Sequence, residues 1–212
     1  MIRKIIFLGA PGVGKGTIAK LLARDLDIPH ISTGDIFRSE IKNNTELGKK
    51  IIEITQRGDY VPDDLTNKII EKSINNPNAK DGYILDGYPR TIPQTKFLRD
   101  NTKIDVAILL ETKEDLIIKR LNGRRTCLKC KTGYHIKFQP PKKEGICDID
   151  GEKLTQRKDD SKEAIQHRIK TYKKETIPLI EFYKKEGILE AFDSSTNPDK
   201  IIKEIKGKLF ND

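Results

Sequence analysis

The sequence predicts an α/β fold in which a parallel sheet is flanked by helices. Short apolar runs alternate along the chain with segments of helical periodicity, as expected for strands joined by crossover helices. The apolar runs are continuous rather than alternating, which is typical of strands that are buried on both faces. The chain has 212 residues, a length that suits one domain with small insertions.

The predicted strands and helices follow one another in a regular order. The first apolar run is at residues 2–8, and the first helix, 15–26, carries Ile18, Leu22 and Leu26 near helical spacing. Further apolar runs are at 83–85, 104–110 and 188–192. Further helices are predicted at 35–43, 47–57, 63–75, 91–100, 114–122, 161–185 and 198–210.

Residues 123–160 interrupt this alternation, and we interpret them as an inserted mini-domain. They contain all three cysteines, in the order Cys127-x2-Cys130 and, after sixteen intervening residues, Cys147-x2-Asp150. Two paired x2 spacings are typical of a structural Zn²⁺ site with four protein ligands. An insertion too small to bury much core needs such a staple. Reduced, buried cysteines beside a surface aspartate are the alternative interpretation.

The chain is basic, with 41 Lys and Arg against 32 Asp and Glu and a net charge of +9. Such a balance fits nucleic acid, a membrane surface, an anionic small ligand or merely a solvated lysine-rich face. We expect no membrane association, because no segment approaches the roughly 20 apolar residues of a membrane span. The odd number of cysteines argues for a reducing compartment, so we expect a cytoplasmic protein.

The segment 9–17, GAPGVGKGT, follows the first strand and precedes the first helix. Its G-x4-G-K spacing is that of a P-loop, in which backbone N–H groups surround phosphate oxygens and the lysine adds a positive charge. The strict pattern has Ser or Thr directly after the lysine, whereas here Gly16 stands before Thr17. The sequence therefore predicts a nucleotide phosphate site of a variant type.

Three further stretches narrow this prediction. They are Ser32-Thr33-Gly34-Asp35 with Arg38, Asp86-Gly87-Tyr88-Pro89-Arg90 with Gln94, and Thr155-Gln156-Arg157-Lys158-Asp159-Asp160 with Arg168. With the P-loop variant, they make residues 2–210 resemble the adenylate kinase family in its long-lid form. The resemblance implies the reaction ATP + AMP ⇌ 2 ADP with Mg²⁺, in a monomer that binds small molecules and not nucleic acid.

The resemblance also implies a domain organisation. A single domain, 1–212, would have a doubly wound core of the P-loop NTPase type. Two mobile insertions would interrupt it: 32–61, which covers AMP, and 123–160, the lid over ATP. Lids with three cysteines and one aspartate occur in this family, as do lids without zinc.

Phosphoryl transfer explains why these residue types occur together. Two polyanions have to be aligned away from water, so arginines are expected rather than a nucleophile or a base. The resemblance assigns catalytic charges to Lys15, Arg90, Arg124, Arg157 and Arg168. It assigns ATP binding to Gly12, Val13, Gly14, Lys15, Gly16, Thr17, Arg120, Arg124, Gly133 and Tyr134. It assigns AMP binding to Thr33, Arg38, Asp59, Tyr60, Val61, Gly87, Tyr88, Pro89, Arg90, Gln94, Arg157 and Arg168. Among these, Thr33 and Gln94 would select the adenine, and Asp59, Tyr60, Val61 and Gly87 would contribute their backbone.

Some of these residues have a second interpretation. Asp86 ends a strand, where an acid either organises Mg²⁺ through water or caps a helix. Asp159 and Asp160 either close the lid or cap the helix that follows. Arg120 either stacks on the ATP adenine or is a surface charge. The tight turn at Tyr88-Pro89 is compatible with a cis bond.

Two other functions stay open at the level of the sequence. Another nucleoside-monophosphate kinase, acting on UMP or CMP or using GTP, would share the P-loop, although the long lid and Gln94 argue against it. A basic, zinc-bearing module that binds nucleic acid would fit the net charge. Its aromatic residues, however, are not interleaved with basic ones as stacking platforms would be.

Overall fold

A parallel sheet forms the centre of the fold. The structure is a computed structural model that describes residues 2–210; Met1, Asn211 and Asp212 of the predicted domain lie outside the described residues. Within this range, the strands of the sheet are β1 (Lys4–Leu8), β2 (His30–Ser32), β3 (Tyr83–Asp86), β4 (Val106–Glu111) and β8 (Leu189–Asp193). Their spatial order is β2-β3-β1-β4-β8, and every neighbouring pair is parallel.

Helices connect the strands and cover the sheet. They are α1 (Lys15–Leu26), α2 (Thr33–Lys42), α3 (Glu46–Arg57), α4 (Asp63–Ile74), α5 (Ile92–Asn101), α6 (Glu114–Asn122), α7 (Lys162–Thr171), α8 (Ile177–Lys185) and α9 (Pro198–Leu209). Several begin at a polar side chain that accepts a backbone N–H bond, such as Thr91 before α5 and Ser161 before α7. These caps fix where each helix starts relative to the strand or turn that precedes it.

Successive residues of the central strands point into two apolar clusters, one on each face of the sheet. Ile5 and Phe7 of β1 pack with residues of α1 and α9, among them Leu22. Ile6 of β1 points to the other face and packs with residues of α4, α5 and α8, among them Leu179. Helices therefore cover both faces, and the predicted doubly wound α/β fold is confirmed.

Two elements differ from the sequence prediction. Strand β2 is absent from the predicted elements because it has only three residues and follows Pro29. The helix predicted at 161–185 is divided by a π turn at 172–176. Pro178 has no N–H for a regular helical bond, and the Ile177 N–H reaches the Tyr172 carbonyl five residues back.

A second, antiparallel sheet is formed by residues between 124 and 155. Its strands are β5 (Arg124–Cys127), β6 (Gly133–His135) and β7 (Leu154–Thr155), in the order β6-β5-β7. It encloses a small buried cluster of Cys127, Tyr134, Cys147 and Leu154. Among residues 2–210 we find no helix with the length and apolar character needed to cross a bilayer.

Candidate active site

The P-loop connects β1 to α1 and folds around its own lysine. Gly14 directly precedes α1 and has φ at 112°, a backbone conformation that residues other than glycine rarely adopt. Lys15 Nζ donates to the carbonyl oxygens of Gly9 and Ala10, at 2.7 and 2.9 Å. Burial lowers the pKa of Lys15 to about 7, against the opposing effect of Asp86. A buried ammonium bonded to neutral carbonyl groups favours the approach of an anion.

The glycine after the lysine allows Asp86 to approach the loop. A Cβ atom at Gly16 would lie 3.2 Å from Asp86 Oδ2. Asp86 is the last residue of β3, and His30 Nε2 lies 3.3 Å from its Oδ2. Burial alone would raise the pKa of Asp86, but His30, Lys15 and Arg90 outweigh burial and lower it. A carboxylate therefore lies beside the P-loop.

A buried acid holds two arginines beside the small sheet. The side chain of Asp160 is fully buried, and Arg124 binds both of its carboxylate oxygens through two guanidinium nitrogens. Arg168 Nη1 lies 3.1 Å from Asp160 Oδ1 and 2.9 Å from Asp159 Oδ2. Such bidentate contacts fix the guanidinium planes and keep them charged away from water.

Arg157 adds a third positive charge to this cluster. Its Nε donates to Thr126 Oγ1 at 3.0 Å. Burial, with smaller contributions from Arg124 and Arg38, lowers the pKa of Arg157 to about 9. Positive charges that lower the pKa of Arg157 are the expected surroundings of a bound polyanion, which would reverse that effect.

Arg90 follows β3 and is held by its own turn. Its Nε donates to the Gly87 carbonyl and its backbone N–H donates to Gln94 Oε1, both at 2.7 Å. Gln94 Nε2 donates to Asp63 Oδ1 at 2.6 Å, so both ends of the amide are bonded. Thr33 Oγ1 donates to the Gly87 carbonyl at 2.9 Å. The sequence motif DGYPR with its glutamine is therefore one hydrogen-bonded unit.

Arg120 of α6 joins the P-loop to the loop after β8. Its Nη1 donates to the Val13 carbonyl at 3.0 Å and its Nη2 donates to the Ser194 carbonyl at 2.7 Å. Burial lowers the pKa of Arg120, with Asp193 acting in the opposite direction. These two bonds hold the guanidinium plane in one orientation, as a stacking surface for an aromatic base requires.

A cavity of about 750 Å³ connects all these groups. It is bordered by the P-loop, by Asp86, by strand β6 and by the arginines at 38, 90, 120, 124, 157 and 168. Its size is within the range of small-molecule sites, and its cationic lining selects for phosphate-bearing ligands.

Residues 7–188 match the family model described as adenylate kinase. Curated relatives with that name cover nearly the whole chain. The one from Ruminiclostridium cellulolyticum is 46% identical over 97% of this chain and 99% of its own length. Those from Agathobacter rectalis and Thermosipho melanesiensis are 48% and 47% identical, over 97% and 95% of this chain and 99% and 96% of their own lengths. The chain belongs to the adenylate kinase family.

The structure brings most of the predicted site residues of this adenylate kinase to the cavity. Those that line it are Gly12, Val13, Gly14, Lys15, Gly16, Thr17, Arg38, Tyr60, Asp86, Gly87, Pro89, Arg90, Arg120, Arg124, Gly133, Tyr134, Arg157 and Arg168. Thr33, Val61 and Gln94 line a smaller pocket that shares Tyr60, Gly87 and Arg90 with the large one.

Two predicted side chains point elsewhere. The Asp59 carboxylate lies 2.6 Å from His167 Nε2 and borders neither pocket. The Tyr88 side chain is fully buried, and its hydroxyl donates to Asn67 Oδ1 at 2.6 Å. The Tyr88–Pro89 bond in this turn is cis. Tyr88 thus supports the turn from below rather than bordering the cavity.

Apolar and aromatic residues that are not among the predicted ones also line the cavity, among them Leu116, Phe138, Tyr172 and Ile201. Phe138 is 58% exposed and lies 4.4 Å from the His135 ring, centroid to centroid. An exposed aromatic residue in a polar insertion is a signal that could have identified it. The others are indistinguishable in the sequence from the core positions of their helices.

The adenylate kinase chain also contains a candidate metal centre, away from the P-loop. Ligand atoms of Cys127, Cys130, Cys147 and Asp150 all lie within 4.8 Å of one another. Cys130 Sγ is 3.5 Å from Cys147 Sγ, and Cys127 Sγ is 3.2 Å from Asp150 Oδ2. Tetrahedral Zn²⁺ with ordinary bond lengths places its ligand atoms about 3.6–3.8 Å apart. The donor set and its spacing therefore fit one such ion.

Proposed function

We propose that the large cavity is where this chain, an adenylate kinase, carries out the reaction ATP + AMP ⇌ 2 ADP. The observation that carries the proposal is the convergence on this cavity of the predicted catalytic charges, which are Lys15, Arg90, Arg124, Arg157 and Arg168. These residues come from distant parts of the chain, and since Asp86, Asp159 and Asp160 balance only part of their charge, the site favours a polyanionic ligand.

The reaction needs charge stabilisation more than it needs proton transfer. An oxygen of the AMP phosphate forms a bond to the γ-phosphorus of ATP, and the bond from that phosphorus to the β–γ bridging oxygen breaks. Preorganised cations stabilise the negative charge on the transferred oxygens and on the leaving ADP. Mg²⁺, bound with ATP, shares this charge, and Asp86 would hold it through water.

Each cation has a separate place in the proposed clamp. Lys15 and the P-loop N–H groups bind the β- and γ-phosphates of ATP. Arg38 and Arg90 bind the AMP phosphate. Arg124, Arg157 and Arg168 surround the transferred group, and the aspartate that pairs with two of them keeps their forks oriented between turnovers.

The two bases occupy opposite ends of the site in this proposal. The ATP adenine stacks on Arg120, whose plane is fixed by its two carbonyl bonds. Gly133 and Tyr134 of β6 cover the nucleotide from the lid side. The AMP adenine lies beside Thr33, Val61 and Gln94 in this proposal, and their pocket, about 10 Å³ in this structure, has to widen to admit the base.

We infer that residues 32–61 and 123–160 are the parts that close over AMP and over ATP, with 123–160 as the lid. Lys42 Nζ donates to the Leu128 carbonyl at 3.2 Å, so the two segments contact each other in this structure. Closure of that kind excludes water from the transferred group. We also infer a monomer that works in the cytoplasm.

We propose that the cluster of three cysteines and Asp150 holds one structural Zn²⁺ in the lid. Four protein ligands complete a tetrahedral site, which leaves no position for a substrate. Cys127 and Cys147 are buried in the small apolar cluster of the lid, so the ion would lie beside what little core the lid has.

The adjacent pair Arg124 and Arg125 allows a matched test of the clamp. Arg124 lines the cavity, whereas Arg125 donates to the carbonyl oxygens of Asn122 and Arg124 and does not border it. In a coupled assay of ADP formed from ATP and AMP, we expect Arg124→Ala to lower kcat about 10²- to 10³-fold, the scale of one preorganised donor. Arg125→Ala should stay within a few-fold of the parent.

A panel of nucleoside monophosphates accompanies that assay. AMP should be preferred over UMP, CMP and GMP. A preference for a pyrimidine nucleotide would contradict the proposal that the AMP site recognises adenine. Equal losses in the two arginine variants would contradict the proposed clamp.

A further inference from the structure

The AMP-side arginine is held by more than its own turn. Besides the bonds to Gly87 and Gln94, the Arg90 guanidinium lies over the ring of Tyr60, with its central carbon 4.9 Å from the ring centroid. Tyr60 belongs to the segment 32–61, which we propose to close over AMP. A cation over an aromatic face is attracted to it, and more strongly where water is excluded.

A chain of two hydroxyl groups continues from that ring back to the same arginine. Tyr60 Oη lies 3.0 Å from Thr176 Oγ1, and Thr176 Oγ1 donates to the Arg90 carbonyl at 2.9 Å. A threonine hydroxyl has one proton. Since that proton is given to the carbonyl, the Tyr60 hydroxyl must be the donor to Thr176. The direction of both bonds is therefore fixed.

The π turn supplies the third side of this arrangement. Thr176 is its last residue and is 5% exposed, yet it borders the same cavity as Tyr60 and Arg90. π turns are uncommon and are often retained at functional sites. Here the π turn places the Thr176 hydroxyl group against the backbone of Arg90, the residue that we propose to bind the AMP phosphate.

We propose that Tyr60 and Thr176 are positioning residues for Arg90, and that the guanidinium reaches its working orientation only when Tyr60 lies over it. This inference rests on the proposed role of Arg90 toward the AMP phosphate. Because Tyr60 lies in the closing segment and Thr176 in the core, the hydroxyl pair makes the orientation of Arg90 depend on closure over AMP. The ring, the hydroxyl pair and the turn of Arg90 act as one unit.

The test uses substitutions that remove one contact at a time. Tyr60→Phe keeps the ring and removes the hydroxyl, and Thr176→Val keeps the shape and removes the hydroxyl. Each should lower kcat/KM for AMP by about threefold to tenfold, the scale of one neutral hydrogen bond. The double variant should be no worse than the larger single loss, because both remove the same chain. KM for ATP should change less than twofold, and Thr176→Ser should restore the parent value.

A second tyrosine–threonine pair in the same protein provides the control. Tyr83 Oη donates to Thr102 Oγ1 at 3.0 Å, the same contact as in the positioning pair, and neither residue borders the cavity. Tyr83→Phe should leave both KM values and kcat unchanged. Tyr60→Leu removes the ring as well as the hydroxyl group, so it should lower kcat/KM for AMP more than Tyr60→Phe does. Its melting temperature is measured as well, to show that the variant is folded.

Arg90→Ala separates failure of this inference from failure of the proposed function. If Arg90→Ala leaves the use of AMP unchanged, the proposed phosphate role is wrong and the positioning role with it. If Arg90→Ala abolishes the use of AMP while the Tyr60 and Thr176 variants match Tyr83→Phe, only the positioning role is overturned. Additive losses in the double variant would also overturn it.

Discussion

The cavity has two walls that differ in burial. The core wall rests on the parallel sheet and its large apolar clusters, whereas the second wall, formed by the lid, residues 123–160, buries few side chains. Ile5, Leu22 and Leu179 have no exposed surface in the core clusters. The lid cluster has only four buried members, two of which are cysteines of the candidate metal centre. Ile149 of the lid is 69% exposed. Burial therefore stabilises the first wall, whereas the second has little core of its own, and the proposed Zn²⁺ would contribute much of its stability.

This difference suits the division of work between the two walls. In the proposed mechanism, the P-loop and the turn of Arg90 keep their phosphate-binding groups in place before any nucleotide arrives. In the same proposal, the lid opens and closes and carries Arg124 and Arg157, which lie near its two ends. A region with a small core and a metal staple can stay folded as a unit and still move. Breaking each wall separately should therefore give different results.

The largest loss of activity is expected from a change in the core wall that leaves its stability intact. Lys15→Met removes one cation at nearly constant volume from the β- and γ-phosphates. We expect turnover to fall about 10²- to 10³-fold, the scale of losing one preorganised donor. Circular dichroism should still show a cooperative thermal transition. Activity within a few-fold of the parent would contradict the assignment of Lys15.

The lid should lose its order and its function together. Cys130→Ser, or removal of the metal by a chelator, should leave the lid without its staple and misplace both lid arginines. We expect turnover to fall about 10- to 100-fold, the scale of a modest misplacement of catalytic groups. Trypsin should cut within 123–160 sooner than elsewhere, while AMP binding persists.

A neighbouring substitution controls for that experiment. Lys129 lies in the same turn as Cys130, is exposed and is outside the ligand set. Lys129→Ser should keep both metal content and turnover. Elemental analysis of the parent should find about one zinc per chain. A metal-free parent with an unchanged melting profile in Cys130→Ser would contradict the comparison between the walls.

A smaller effect is expected at the AMP end of the core wall. Gln94→Ala removes the acceptor of the Arg90 N–H and a partner of Asp63. KM for AMP should rise about 2- to 10-fold, the scale of one or two neutral hydrogen bonds, with KM for ATP nearly unchanged. Lys96→Ala, on the exposed face of the same helix, is the control. A larger change for ATP than for AMP would reverse the two proposed base sites.

Truncating one buried leucine in each wall compares how much the two walls contribute to stability. Neither truncation should change turnover much. Leu22→Ala in the core should lower the free energy of unfolding by about 2–5 kcal/mol. Leu154→Ala in the metal-loaded lid should leave the main unfolding transition within about 0.5 kcal/mol of the parent. Urea unfolding followed by circular dichroism measures both. Equal effects would mean that the lid and the core unfold as one cooperative unit.

The pH dependence of stability tests the burial of Lys15 in the core wall. The pKa of Lys15 is about 7 in the folded protein, against 10.5 for a free lysine. Between these values the unfolded chain binds more protons at this residue, so its contribution to stability rises with pH. The stability of the parent relative to Lys15→Met should therefore be greater at pH 9.5 than at pH 7. A constant difference would mean that Lys15 is not desolvated.

Features that depend on neighbouring residues could be predicted from the sequence. The P-loop, the paired x2 spacings and the limits of some helices are set by short-range geometry, and the helix 114–122 begins and ends where its pattern does. The same holds for Arg168, which lies close in the sequence to Asp159 and Asp160, the acids that hold it. The predicted site rests mainly on such local signals.

Features that depend on packing between distant segments could not be predicted. Tyr60 and Thr176 are 116 positions apart, and only the fold brings their hydroxyl groups together. The carbonyl partners of Arg120 depend in the same way on how α6 packs against two loops. Strand β2 is too short to have a pattern of its own, and it exists because β3 offers it an edge.

The close approach of Gly16 to Asp86 has a consequence for protein engineering. The loop type and the acid at the end of β3 form a matched pair although they are 70 positions apart (86 − 16). A P-loop with the strict pattern, grafted into this chain, would bring a side chain to position 16, and the Asp86 carboxylate would have to shift by a few tenths of an ångström to admit it. A screen that exchanges P-loops in this chain should therefore vary position 86 together with the loop.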